Sequence, residues 1–152
     1  MTELPIVRPF LWYDSSALEA AEYYVSVIPD SRIVDVMRQG GAVLVVTFEI
    51  GGVLFKAING GPGHPHTDAF SIAVTCKDQA EVDRIWSALT HGGSEVACGW
   101  LKDRFGLSWQ VVPKKFYELM SAGTPEQSQR VMQAMMNMVK FDVAALEAAF
   151  EG

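Results

Sequence analysis

Cysteine is nearly missing from this chain. Cys76 and Cys98 are the two in 152 residues, too few for a disulfide framework and wrongly spaced for a metal knuckle. Positive charge is short as well: twelve Lys and Arg stand against eighteen Asp and Glu, a net charge of −6. The basic residues are scattered, which excludes the clustered stripe that phosphate binding needs. No apolar run approaches a membrane span, and the N-terminus has no charged-then-apolar signal pattern. A cytoplasmic protein with no nucleic-acid and no membrane partner is expected. Ser-His-Asp order, paired-carboxylate motifs and phosphate-cradling glycines are also lacking. Gly60-Gly61-Pro62-Gly63 runs into His-Pro-His rather than into a helix N-terminus.

What is there suits a soluble globular fold, with 49% hydrophobic and 20% charged residues. A chain of this length buries roughly 68–70% of its unfolded surface without staples. One pattern occurs twice. The first copy runs from Pro9–Tyr13 through Ser16-Ala-Leu-Glu19, a capping-box spelling. The helix that follows is expected to bury Leu18, Ala21, Val25 and Ile28. Strand-like runs come next at 32–38, 42–50 and 53–58, the last two joined by Gly51-Gly52. The second copy has a strand at 69–76, a capping box at Asp78–Glu81, and a helix burying Val82, Ile85, Trp86 and Leu89. Strands at 94–97, 100–102 and 107–113 complete it. Each copy reads β-α-β-β-β, so the expected class is α+β: two such modules forming a cupped mixed sheet, with C-terminal helices.

Between the copies, Asn59–His66 packs three Gly and two Pro into eight residues, a linker or a loop over a site. Beyond the second copy the chain turns helical. Thr124-Pro125-Glu126-Gln127 spells another capping box, a Met stripe recurs over 132–138, and a short helix begins at Asp142. The organisation expected is a single domain over 1–152, with module 1 about 4–60, module 2 about 67–113 and a helical tail about 114–151.

The segment Cys98–Pro113 carries the densest chemistry. It reads as a hairpin with the turn Lys102-Asp103-Arg104-Phe105-Gly106, in which Lys102, Asp103 and Arg104 are expected to be solvated. Leu107, Trp109 and Val111 fall on one face, with Ser108, Gln110 and Val112 on the other. Gln110 inside an apolar strand is either a satisfied buried amide or part of a pocket. Cys76 reads as an inert core thiol; Cys98, beside Gly99 and Trp100, is either a small buried residue or a reactive one.

Phe10–Asp14, Asn59–Pro62, Cys98–Asp103, Trp109–Pro113 and the tail from Gln129 to Met136 together resemble the vicinal oxygen chelate superfamily. They are closest to its PhnB-like branch, often labelled 3-demethylubiquinone 3-methyltransferase-like. The resemblance implies a pocket enclosed by the two modules. In enzymes of the superfamily it holds a divalent metal on His and Glu. Here the corresponding positions offer Asn59, Ser71 and Gln110, neutral donors that suit a transition metal poorly. The resemblance keeps the cup and departs from the metal set. S-adenosylmethionine-dependent methyl transfer would need a glycine-rich loop after a strand with an acidic residue further on, and none is present.

The expectation is therefore a small-molecule-binding protein, a homodimer, with no cofactor and no tight metal site. Trp12, Asn59, Ser71, Cys98, Trp100 and Gln110 are the candidate ligand-binding residues. Trp12 and Trp100 would stack on a planar ligand; Trp86 and Trp109 read as core. His64 and His66 have ligand-like spacing and are the candidates should a metal be bound. The rival is a metal-dependent isomerase, lyase or dioxygenase acting on vicinal oxygens, or metal-free chemistry at Cys98 near Lys102. An interaction protein docking through its Met-rich tail is a third alternative.

Overall fold

Gly51 and Gly52 both take positive φ, 54° and 90°, and close the hairpin between β3 (Ala42–Ile50) and β4 (Val53–Asn59). Side chains other than glycine rarely adopt that pair of conformations. Around this hairpin β1 (Phe10–Tyr13), α1 (Ala17–Val27) and β2 (Arg32–Gln39) complete the first module. The computed structural model describes residues 4–152, and the chain divides into two units between His66 and Thr67.

In the first unit the sheet order is β1-β4-β3-β2, with β1 parallel to β4 and the other neighbours antiparallel. One face carries Leu11, Tyr13, Val46, Phe48, Phe55 and Ala57, all buried. Helix α1 lies on that face, but its buried stripe is Ala17, Ala20, Ala21, Tyr24 and Val27, not one centred on Leu18 and Val25. The small alanines permit close approach, and the Tyr24 hydroxyl meets that of Tyr13 at 2.9 Å. A phenol buried with its own hydrogen-bond partner outcompetes an aliphatic alternative for the core side. The expected capping box at Ser16–Glu19 does not form. Ser16 makes no side-chain cap, because the helix start is satisfied from elsewhere in the module.

The second unit repeats the order. β5 (Ser71–Cys76), α2 (Gln79–Thr90), β6 (Ser94–Glu95), β7 (Trp100–Lys102) and β8 (Ser108–Pro113) follow one another and pair as β5-β8-β7-β6. The parallel pair is again the first strand with the last. Helix α2 buries Val82, Ile85, Trp86 and Leu89 against Leu101, Trp109, Val111 and Cys76, each 0% exposed. Its cap is close to the expected one. The Asp78 carboxylate accepts from the Glu81 N–H, while the Glu81 carboxylate reaches back to the Lys77 N–H, one residue earlier than a standard box.

The tail forms α3 (Lys114–Ala122), α4 (Pro125–Met136) and α5 (Val143–Glu151). Both halves of the Thr124–Gln127 capping box are made. Gln79 on α2 ties the tail to the module. Its amide donates to Phe141 O at 2.9 Å and accepts from Val143 N at 2.7 Å. Beside it Lys140 pairs with Asp83 at 2.7 Å, and the hydrogen bond from that ammonium, helped by one from Gln79, holds the Asp83 carboxyl below its ordinary pKa. Among the described residues no helix is long and apolar enough to cross a membrane.

Candidate functional site

Strand parity decides which side chains leave the core. In the second unit Trp100 pairs with Gln110 across β7 and β8, and Gln110 pairs with Ala73 on β5. Neighbours in register point to one side of a sheet, and this side is the one α2 does not cover. Ser71, Trp100 and Gln110 are half-buried there, with Ala73, Thr75 and Lys102 exposed. The Gln110 side-chain amide donates to Ser71 Oγ at 3.0 Å. That bond leaves Gln110 Oε1 as an acceptor and the Ser71 hydroxyl as a donor, side by side. Three of the candidate residues, Ser71, Trp100 and Gln110, are thus brought together.

Cys98 lies two residues before Trp100 and turns toward the tail. Its N–H donates to Met138 O and that of Gly99 to Val139 O, each at 2.8 Å, while its thiol sits 3.8 Å from Met136 O. Cys98 takes φ +60°, which few non-glycine residues adopt. A β-carbon on Gly99 would stand 2.4 Å from Phe141 Cε2. This stretch is where the tail docks.

In the first unit Trp12 and Asn59 fall on opposite sides of one sheet. Trp12 pairs with Ile58 and points away from α1; Tyr13 pairs with Asn59 on the helix side. There the Asn59 amide oxygen accepts the Ala17 N–H at 2.8 Å, and its nitrogen donates to Val43 O at 3.2 Å. Asn59 caps α1 in place of Ser16, beside a cavity of about 490 Å³ that it lines with Ser15, Gln39 and Leu44. Trp12 is half-buried under the Asn59–His66 loop. Its indole donates to Gly61 O at 2.9 Å, and the His64 ring lies 4.3 Å from it, centroid to centroid. His66 meets Tyr13 edge-on at 5.0 Å. The two histidines therefore rest on aromatics of opposite sheet faces.

Among the described residues no three His, Cys, Asp or Glu side chains gather as metal ligands. Ser71 and Gln110, grouped on the face of the second unit turned away from α2, offer a hydroxyl and an amide. Both are neutral, and neither compensates the charge of a divalent transition metal.

Asp103 is a correction to the solvated turn. It is 3% exposed, and its carboxylate accepts from Phe105 N, Leu107 N and the Trp109 indole at 2.8, 3.1 and 2.9 Å. An Asp two residues before a turn amide, and six before a tryptophan in the returning strand, was the signal available. Its partners fix the hairpin that presents Trp100 and Gln110. Trp86, likewise core, gives its indole N–H to Glu95 at 2.9 Å.

The family described as 3-demethylubiquinone-9 3-methyltransferase matches residues 5–112. No curated protein matches the chain. Among solved structures, a PhnB protein from Bacillus cereus carrying the same methyltransferase description is 28% identical, with TM-score 0.67 over 72% of this chain and 99% of its own. A Pseudomonas aeruginosa protein is 19% identical, with TM-score 0.60 over 70% and 96%. The fosfomycin resistance protein FosX of Mesorhizobium loti shares the fold at 15% identity, with TM-score 0.53 over 73% and 92%. With matching strand orders in its two modules, the chain belongs to the family described as 3-demethylubiquinone-9 3-methyltransferase, and it shares its fold with the PhnB protein and with FosX.

Proposed function

We propose that this protein binds a small organic molecule without a tightly held metal, and that Ser71, Trp100 and Gln110 form the polar and stacking contacts. The observation that carries the reading is the Gln110–Ser71 hydrogen bond at 3.0 Å, directly across from Trp100 on the face that α2 leaves uncovered. An acceptor, a donor and an indole side by side suit a neutral ligand with both a planar and a hydrogen-bonding part. The shared fold supports the coarser statement, since FosX, which has it, is named for resistance to a small molecule. The family's methyltransferase description adds no support for methyl transfer here, because neither module offers a glycine-rich strand-to-helix loop. The same reading takes the protein as a homodimer, which light scattering checks.

The test pairs a diverse small-molecule screen, followed by tryptophan fluorescence, with the Gln110→Leu variant. A hit should bind Gln110→Leu about 10-fold more weakly, with the melting temperature unchanged. Equal affinity would remove Gln110 from the site. Elemental analysis of protein purified without chelator checks the metal. Stoichiometric transition metal would move the protein to the rival reading, a metal-dependent isomerase, lyase or dioxygenase.

A further inference from the structure

The chain places its own substitute for a ligand on Trp12. Three contacts from one loop converge on that indole. Gly61 O accepts its N–H at 2.9 Å. The His64 imidazole, a flat heteroaromatic ring, lies 4.3 Å away at an interplanar angle of 49°. Gly60 lies so close to the benzo edge that a β-carbon there would stand 2.2 Å from Trp12 Cζ2. Yet between Gly61 and His66, whose ring rests on Tyr13, the loop is lightly held. Gly60, Pro62, Gly63, His64 and Pro65 are exposed, and its backbone bonds to the end of β1 and the residue after it are Gly60 N–Tyr13 O and Gly61 N–Asp14 O. A half-buried indole covered by exposed, glycine-rich backbone can be uncovered at small cost, because few buried contacts break.

We propose that Trp12 is a stacking platform for a planar aromatic ring bearing a hydrogen-bond-accepting oxygen, and that this ring displaces His64 while its oxygen replaces Gly61 O on the indole N–H. The proposal rests on the small-molecule reading and gives the ligand class at a second indole, on the first unit. The loop then acts as an internal competitor: the apparent affinity of a ring for Trp12 is lowered by the fraction of molecules in which His64 sits there. An aromatic pair of this kind corresponds to about a 2- to 10-fold effect on affinity.

The probe is 7-hydroxycoumarin, flat and carrying a carbonyl acceptor, with a saturated lactone as the non-planar control. Binding is followed on the indole N–H resonances of ¹⁵N-labelled protein, the Trp12 signal being assigned by its loss in Trp12→Phe. The expected result is that the coumarin shifts the Trp12 resonance and the saturated lactone does not. His64→Ala, a change at an exposed residue, should then bind the coumarin about 2- to 10-fold more tightly, and Trp12→Leu should lose that binding. The proposal is overturned if His64→Ala binds no more tightly than the wild type, if Trp12→Leu binds as well, or if neither protein binds the probe. A shift of the Trp100 resonance alone would also overturn it while leaving the Gln110 reading intact. Circular dichroism of Trp12→Leu separates lost binding from lost folding, and His64→Ala gives a result in either case.

Discussion

The side chain of Asn59 and the backbone of Ala17, 42 positions apart, meet in a 2.8 Å hydrogen bond. The last residue of β4 thereby starts α1, in the place where Ser16 makes no cap. A helix end left without its acceptor exposes a donor that the module has buried. Asn59→Ala should therefore destabilise the protein by about 1–3 kcal/mol. Asn59→Asp should lose less, since it keeps the acceptor at the helix N-terminus and adds favourable charge there, while giving up the donor to Val43 O. Urea denaturation of the two variants checks the order, and an Ala variant as stable as the wild type would refute it.

Asp103 serves three donors with two oxygens. Asp103→Ala removes the carboxylate that accepts from two amides and an indole inside the hairpin and should cost about 3 kcal/mol. Asp103→Asn retains one full acceptor and should fall between. Chemical denaturation gives the ranking. A red shift of Trp109 emission in the native Ala variant would show that the loss is local to that indole.

Gly99 sits under Phe141 at φ +82°, with no room for a β-carbon. Gly99→Ala should cost about 1–3 kcal/mol and loosen the tail before the rest of the chain. Limited proteolysis should then cut near residue 138 under conditions in which the wild type resists. Combining it with Phe141→Ala should cost less than the two separate losses added together, because the clash partner is gone.

The thiols differ in environment. Burial, reinforced by the Glu81 carboxylate, pushes the Cys76 thiol up from 9.0 to about 12. A dithionitrobenzoate titration should find one reactive thiol per native chain, Cys98, and two after denaturation. Since the folded chain holds the Cys76 proton more tightly than the unfolded one, stability from this group is intact below about pH 9 and is lost as pH rises from 9 toward 12. Cys76→Ala should flatten that alkaline decline; an equal slope in both proteins would assign it to other groups.

The repeat was legible because punctuation marks it. Paired glycines, Asp78 and Thr124 end or begin elements through local backbone rules, and the β-α-β-β-β order followed from them. Side-chain parity was less so. Asn59 stands at a strand end beside Gly60, and nothing local says whether it turns toward Trp12 or toward the helix; a hydrogen bond to Ala17, distant in sequence, decides it. Asp103 looked solvated for a similar reason, since its partner Trp109 arrives only when the hairpin closes. Gln110 was the exception. An amide alternating with Trp109 and Val111 had to sit on the opposite face, and Ser71 is where its N–H goes.

The tail's docking at Cys98 and Gly99 has a consequence for the backbone of the turn before β7. β6 spans just Ser94–Glu95, and the turn from it into β7 presents the N–H groups of Cys98 and Gly99, which no strand accepts. Met138 O and Val139 O occupy both. The segment after α4 thus answers two backbone donors that no strand of the sheet reaches, and any change that frees it leaves both without their acceptors.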